Sequence, residues 1–204
     1  MTRPALTLRE LVRSALGQDR ALPEVPVTGV AQDHRRVRPG YVFVARRGAA
    51  HDGHRYARLA VEAGAVAVVG ELPGLRHLPW GRTPYLEVAD DRAALARLAA
   101  TFHGHPSRQL AVVGVTGTDG KTTTSFLLQH LLGARCRTAL LSTAGINLGG
   151  SELALEGHFT TPEASEVQRL LAEALAAGCS HAVLESSSHG LAQRRLDEVR
   201  YRLG

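Results

Sequence analysis

Lysine, cysteine and aromatic residues are scarce in this sequence of 204 residues, and the scarcity of cysteine and of aromatic residues each excludes a class of protein. Two cysteines, Cys136 and Cys179, cannot build a disulfide framework, and two distant thiols do not make a metal site. Aromatic residues make up 4% and the arginines are scattered, so the formal net charge of +5 does not indicate nucleic-acid binding. No apolar run reaches the length of a membrane span or resembles a signal peptide. We expect a cytoplasmic protein whose basic charge suits anionic small ligands, with no obligate protein partner evident.

A single lysine, Lys121, stands among the 24 lysine and arginine residues. It belongs to the loop Gly117-Thr118-Asp119-Gly120-Lys121-Thr122, between an apolar run over 110–115 and a helical pattern that contains Phe126 and Leu131. In a phosphate-binding loop, glycines let backbone amides approach the phosphates, a lysine neutralises charge and a hydroxyl binds magnesium. The strict G-x-x-x-x-G-K-[ST] pattern fails because Val115 occupies its first glycine position. The looser pattern still predicts a nucleotide site, and the alternative is a glycine-rich turn that opens a helix.

Apolar runs alternate with amphipathic segments along the chain, which predicts an α/β fold with parallel sheets. We expect a small mixed α/β domain over residues 1–89 and a parallel-sheet domain with the phosphate loop over 90–204. Strands are predicted over 40–45, 65–69, 85–88, 110–115, 138–141 and 181–186. Helices are predicted over 6–16, 54–63, 91–102, from the loop onward through Leu132, and over 162–177. The glycine-rich stretch from Gly145 to Gly157 is expected to be irregular.

Two polar segments near the predicted strand and helix ends have both functional and purely structural interpretations. In Thr160-Thr161-Pro162-Glu163, Thr161 is expected to cap the helix, or the two hydroxyls face a ligand anion at the helix start. Glu185, at the carboxyl end of a predicted parallel strand, is a candidate magnesium ligand. Gln193 and Arg195 either form an exposed helical face or bind an anion. A nucleophilic Ser188 paired with His189, and a metal site in His51-Asp52-Gly53-His54, are the weaker interpretations.

Taken together, these segments resemble the Mur ligases, and most closely the member that adds the third amino acid to UDP-N-acetylmuramoyl-L-alanyl-D-glutamate. The similarity covers nearly the whole chain. It is carried by the run 115–124, by Thr160-Thr161-Pro162-Glu163 and by Glu185-Ser186-Ser187-Ser188-His189-Gly190-Leu191. Asp33-His34-Arg35 and Asp52-Gly53-His54 add weaker support, although the family usually has serine where His34 stands.

The resemblance implies a first domain that holds the uridine nucleotide and a central domain that binds ATP and Mg²⁺. ATP would phosphorylate a carboxylate of UDP-MurNAc-dipeptide, and an incoming amino acid would attack the acyl phosphate. Lys121 would be catalytic, and the matching motifs assign further residues to three groups. ATP would contact Gly117, Thr118, Asp119, Gly120, Lys121, Thr122 and Thr123; magnesium would contact Thr122 and Glu185; the substrate would contact His34, Thr160, Thr161, Ser187, Gln193 and Arg195.

The same resemblance implies that the central domain is incomplete in these 204 residues. Relatives continue through a carbamylated lysine, further metal ligands and a C-terminal domain that receives the amino acid. We therefore expect this chain to be unable to complete catalysis alone. Two alternatives are a non-catalytic module that binds nucleotide or UDP-substrate, and another P-loop amide ligase such as a folate polyglutamate or cyanophycin synthetase.

Overall fold

A computed structural model describes residues 6–48, 52–72, 81–150, 152–153 and 161–204. The chain divides into two compact units, Met1–Phe102 and His103–Gly204. The helix that follows the predicted boundary at residue 90 therefore groups with the first unit. None of the described helices combines the length and the apolar character needed to cross a bilayer.

The first unit is built on a four-stranded parallel sheet in the order β1-β2-β3-β4. Its strands are β1 (Gly29–Ala31), β2 (Tyr41–Ala45), β3 (Ala67–Gly70) and β4 (Tyr85–Glu87). Its helices are α1 (Leu8–Leu16), α2 (Ala57–Glu62) and α3 (Asp91–His103), with short 3-10 turns at His34–Arg36 and Gly53–Tyr56. The sequence predicts strands over 40–45 and 65–69 with a helix over 54–63 between them. This strand–helix–strand unit is confirmed, because α2 lies between β2 and β3 along the chain and the two strands pair in parallel.

Local sequence explains how these elements begin and end. The Thr7 side chain accepts a hydrogen bond from the Glu10 amide while Glu10 bonds back to the Thr7 amide, a capping box that starts α1. Gly17 ends α1 in the left-handed conformation, which glycine adopts without strain. Along β2, the residues from Val42 to Ala45 are all buried, as a strand covered on both faces requires.

The second unit contains a six-stranded sheet in the order β10-β5-β9-β6-β7-β8. Its strands are β5 (Ala111–Val115), β6 (Thr138–Ser142), β7 (Gly145–Leu148), β8 (Glu152–Leu153), β9 (His181–Glu185) and β10 (Tyr201–Leu203). Its helices are α4 (Lys121–Gly133), α5 (Ala164–Ala176) and α6 (Ser188–Ala192), with a 3-10 turn at Pro106–Arg108. The strands β10, β5, β9 and β6 run parallel, which confirms the predicted α/β class with parallel sheets.

Two local predictions in this unit are wrong. The segment from Gly145, expected to be irregular, instead forms β7, which returns antiparallel along β6 and then pairs with β8. Helix α5 begins at Ala164 with Glu163 as its N-cap residue, so Thr161 is not the cap. The hydroxyl of Thr161 instead shares a hydrogen bond with the hydroxyl of Ser187. The short strands β1 and β10 were not foreseen.

Candidate active site

The glycine-rich loop joins the end of β5 to the start of α4, the position that the sequence predicts. Gly117 has φ of 144° and Gly120 has φ of 76°, backbone conformations that side-chain-bearing residues rarely adopt. Residues 116–120 and Thr123 are exposed, while Lys121 and Thr122 are half-buried. Gly120 is the N-cap residue of α4 and no side-chain hydrogen bond caps this helix. The first-turn amides and the positive end of the helix are thus directed at one surface, which suits an anion.

Lys121 is folded back over its own loop. Its Nζ donates to the carbonyl oxygen of Gly117 at 2.8 Å and to that of Thr118 at 2.9 Å. These bonds hold the ammonium group beside the loop that would receive a phosphate.

Glu185 is buried at the last position of β9, with 2% of its surface exposed. The Thr122 hydroxyl lies 3.2 Å from both carboxylate oxygens. Two residues at the end of β6 also donate to Oε2, namely Ser142 through its hydroxyl at 2.7 Å and Thr143 through its amide at 3.1 Å. The structure therefore brings together Thr122 and Glu185, the two predicted magnesium ligands. Hydroxyl and carboxylate oxygens are the donors that Mg²⁺ prefers, so these residues fit the ion.

A second polar group lies at the start of α6, where Thr161 and Ser187 share a hydrogen bond of 2.8 Å between their hydroxyls. The Ser187 amide also donates to the Thr161 hydroxyl. A Cβ on Gly190 would lie 2.8 Å from the Thr161 side chain, so glycine permits this close approach. Arg195 is 8% exposed and donates to the Thr161 carbonyl oxygen at 2.6 Å and to Gln193 Oε1 at 2.7 Å. Four of the predicted substrate residues thus form one connected network.

Two family models match separate parts of the chain. The family model described as Mur ligase middle domain matches residues 115–204, and the one described as Mur ligase family, catalytic domain, matches residues 26–103. The chain belongs to the Mur ligase family. This is a family of ATP-dependent amide ligases, and the resemblance stated from the sequence motifs is confirmed.

Several Mur ligase relatives are similar over most of the chain. A UDP-N-acetylmuramyl-tripeptide synthetase of Deinococcus radiodurans is 54% identical over 179 residues, which are 87% of this chain and 36% of the relative. A UDP-N-acetylmuramoyl-L-alanyl-D-glutamate--2,6-diaminopimelate ligase of Gloeobacter violaceus is 37% identical over 97% of this chain and 40% of the relative. The chain therefore spans well under half the length of these Mur ligases.

Solved Mur ligase structures share the fold. A structure of a UDP-N-acetylmuramoyl-L-alanyl-D-glutamate--2,6-diaminopimelate ligase matches with a TM-score of 0.73 and 26% identity, over 95% of this chain and 38% of that chain. A MurF ligase from Thermotoga maritima in complex with ADP matches with a TM-score of 0.57 and 25% identity, over 85% of this chain and 35% of that chain.

Two predicted substrate residues of this Mur ligase chain remain, Thr160 and His34. Thr160 is outside the described residues, as is His51 of the weaker metal interpretation. His34 is in the first unit, where its ring stacks on that of Tyr56 with centroids 4.5 Å apart. Its neighbour Asp33 pairs with Arg35, and this hydrogen bond holds the pKa of Asp33 below its usual value.

The geometry does not support the weaker interpretations of the sequence. His189 Nε2 lies 2.7 Å from Gln193 Nε2, so Gln193 is the ring's hydrogen-bond partner. His54 is buried and its Nδ1 lies 2.7 Å from Asp52. Among the described residues, the carboxylates close enough to share a metal ion are those of Glu71, Asp90 and Asp91. These form hydrogen bonds around the start of α3, where Asp90 accepts from the Ala93 amide and Glu71 accepts from the Asp91 amide.

Sequence reasoning missed Ser142, Thr143 and Glu163. Ser142 and Thr143 directly follow the predicted strand 138–141. Because ligand-binding groups gather at the carboxyl ends of parallel strands, this position is the one feature of the sequence that could have indicated a role for them. Glu163 was considered only in the helix start, but its carboxylate lies 3.2 Å from Arg195. That ion pair joins residues far apart in sequence and has no local signal.

Proposed function

We propose that the chain forms the nucleotide- and substrate-binding part of an ATP-dependent ligase of peptidoglycan precursor synthesis. The ligase would add an amino acid to UDP-MurNAc-L-Ala-D-Glu. The observation that carries the proposal is the glycine loop with Lys121 at the start of α4, whose Thr122 hydroxyl meets the buried Glu185 carboxylate at 3.2 Å. The relatives' names supply the substrate class and the reaction.

In this proposal the loop from Gly117 to Thr123 binds the ATP phosphates through backbone amides, and Lys121 neutralises their charge. Thr122 and Glu185 hold Mg²⁺, which when bound neutralises charge on the transferred phosphoryl group. ATP transfers its terminal phosphoryl group to a substrate carboxylate and leaves as ADP, and the amine of the amino acid then displaces phosphate from the acyl phosphate and loses a proton as the amide bond forms.

Each of the two units has residues that we propose as ligands of the UDP-substrate. In the second unit we propose Thr160, Thr161, Ser187, Gln193 and Arg195, as the matching motifs imply, and the last four of these belong to one hydrogen-bonded network. In the first unit we propose His34, with residues 1–89 as the UDP-substrate domain and 90–204 as part of the ATP-binding domain. A cytoplasmic location belongs to the same proposal.

Calorimetry on the 204-residue chain tests the function directly. Mg–ATP and UDP-MurNAc-dipeptide are titrated separately, with UDP-N-acetylglucosamine as the control ligand that lacks the dipeptide. We expect saturable binding of the first two ligands and weaker binding of the control. Absence of binding by both Mg–ATP and UDP-MurNAc-dipeptide would overturn the proposal.

A further inference from the structure

The two oxygens of the Glu185 carboxylate have unequal surroundings. Oε2 lies within hydrogen-bond distance of four donors, namely the hydroxyls of Thr122, Ser142 and Thr143 and the amide of Thr143. Among the residues that the structure describes, Oε1 has the Thr122 hydroxyl as its one hydrogen-bond partner. A carboxylate oxygen offers about two lone-pair sites, so Oε2 is saturated whereas Oε1 can still accept.

All of these donors are electrically neutral. Within the described part of the chain, no arginine, lysine or histidine forms an ion pair with Glu185, although Arg194, Arg195 and Lys121 are near it in sequence or in the same site. A cationic partner would cancel the negative charge of this buried side chain. Hydroxyl and amide donors fix the orientation of a carboxylate and leave its charge available to a cation.

The donors of Ser142 and Thr143 lie where β6 ends. Strands β6 and β9 pair in parallel with Leu141 opposite Leu184, which puts Ser142 beside Glu185 at the next position. Ser142 also pairs with Gly145 of the antiparallel strand β7, so Thr143 lies in the tight turn between the two strands. The turn directs the Thr143 amide at Oε2, 3.1 Å away.

We propose that Ser142 and Thr143 are positioning residues that anchor Glu185 Oε2 and so present Oε1, together with the Thr122 hydroxyl, to the ATP-bound cation. This inference rests on the proposed function, because it assumes that Glu185 binds the cation. Neither residue contacts the cation in this arrangement. Both act through the orientation of Glu185, as groups hydrogen-bonded to metal ligands do in other metal sites.

The test separates cation binding from nucleotide binding. Affinity of the 204-residue chain for a non-hydrolysable ATP analogue is measured by calorimetry in EDTA and over a Mg²⁺ titration. Ser142→Ala should weaken the apparent Mg²⁺ affinity about tenfold, because loss of such supporting groups typically has that effect. Affinity for the analogue in EDTA should stay at the parent value. Ser142→Thr, which returns a hydroxyl, should restore most of the Mg²⁺ affinity.

Thr138→Val is the matched control, because Thr138 is a buried hydroxyl of the same strand that donates to the Cys136 carbonyl oxygen instead. It should leave both affinities unchanged. Thr143→Val removes a single donor from a half-buried position and should reduce Mg²⁺ affinity by a smaller factor. It also provides the test if circular dichroism shows that Ser142→Ala does not fold.

The outcomes distinguish this inference from the proposed function. A parent chain that fails to bind the analogue in any condition contradicts the function itself. A parent chain with Mg²⁺-dependent binding, and variants with the same dependence, overturns only the positioning role. An equal loss of affinity in EDTA and in Mg²⁺ would show that the hydroxyls merely maintain the local structure, which also overturns it.

Discussion

Among single residues, Lys121 has a compact ammonium group that donates to two carbonyl oxygens of its own loop, those of Gly117 and Thr118. Phosphate oxygens are charged and therefore accept stronger hydrogen bonds than peptide carbonyls do. Nucleotide binding would exchange the weaker partners for stronger ones at little structural cost. The lysine is thus held near its site of action by bonds that a phosphate can replace.

Replacement of Lys121 by alanine should abolish or strongly weaken ATP binding. Loss of a hydrogen bond to a charged group costs about 1.5–3 kcal/mol, which corresponds to a reduction in affinity of roughly tenfold to a hundredfold. Lys121→Arg keeps the charge but has a planar guanidinium, so it should not restore the parent affinity. Calorimetric titration with Mg–ATP measures both variants, and an unchanged affinity in Lys121→Ala would count against the whole nucleotide site.

Asp91 is a buried carboxyl group at the start of α3, and its Oδ2 accepts a hydrogen bond from the Arg47 amide. Burial raises the pKa of Asp91 above its usual value, and the nearby Glu71 carboxylate acts in the same direction. Its contribution to stability is therefore greatest below the ordinary carboxyl pKa and is lost as pH rises through the raised value.

Asp91→Asn should consequently raise the thermal unfolding midpoint at pH 7, because the amide oxygen can still accept from Arg47 without carrying charge. The gain should shrink as pH falls toward the ordinary carboxyl pKa of about 4, because a carboxyl group whose pKa is raised takes up its proton above that value. Asp90→Asn is the matched control, since Asn also caps a helix and Asp90 is less buried. Thermal melts across this pH range decide the question, and a lower midpoint for Asp91→Asn at pH 7 would refute the prediction.

Among the secondary-structure elements, α4 has apolar residues on two sides. Leu128 and Leu132 pack against the core formed by Val115, Leu140 and Val183. Leu127 and Leu131 lie on another side of the helix and are 59% and 67% exposed. Helical residues four apart share a face, so each pair forms its own stripe along α4. The stripe of Leu128 and Leu132 is packed against the sheet, whereas the stripe of Leu127 and Leu131 is in contact with solvent.

The two leucine stripes should respond differently to substitution. Leu127→Gln combined with Leu131→Gln should change the free energy of unfolding by no more than about 1 kcal/mol in total, because a single exposed substitution usually changes it by about 0.5 kcal/mol or less. Leu128→Ala combined with Leu132→Ala should cost at least about 2 kcal/mol, because it removes packing against the sheet. Urea unfolding followed by circular dichroism compares the pairs. Equal losses from both would show that the outer stripe is also packed in solution.

For the whole molecule, the expectation for catalysis rests on the lysine count. The resemblance to the Mur ligases implies a second, carbamylated lysine in catalysis, and Lys121 of the phosphate loop is the one lysine of these 204 residues. The 204-residue polypeptide, assayed alone with ATP, UDP-MurNAc-dipeptide and candidate amino acids, should bind its ligands but release little phosphate. Lys121→Ala supplies the background rate from contaminating phosphatases. Robust turnover above that background would contradict the prediction.

Much of the second unit could be predicted because its signals are local. The apolar run of β5, the glycines and the helical periodicity of α4 are adjacent in sequence, so the strand–loop–helix unit follows from pattern alone. The start of α5 could not be predicted in this way. Thr161 is an ordinary capping residue by its local sequence, but its hydroxyl bonds to Ser187, 26 residues later. The strand Gly145–Leu148 was missed for a different reason: its glycines indicate irregular structure, but a tight turn after Ser142 brings it back as the antiparallel partner of β6.

The candidate site also contains residues with local signals and residues whose roles depend on distant parts of the chain. Lys121, Thr122 and Glu185 were found from short motifs, while the roles of Ser142 and Thr143 depend on β6 and β9 being neighbours in the sheet. Strand order is a property of the whole molecule that no window of sequence contains. The Glu163–Arg195 ion pair likewise joins residues that are far apart in sequence.

The solitary lysine also makes the loop chemically addressable. An amine-selective acylating reagent has one side chain to modify in this polypeptide besides the terminal amine, and that side chain is half-buried beside the glycines. The extent of acylation at this position, read by mass spectrometry, therefore reports whether the loop is occupied. Because the other cationic side chains are arginines, which such a reagent does not modify, Lys121 serves as a footprinting probe of its own loop.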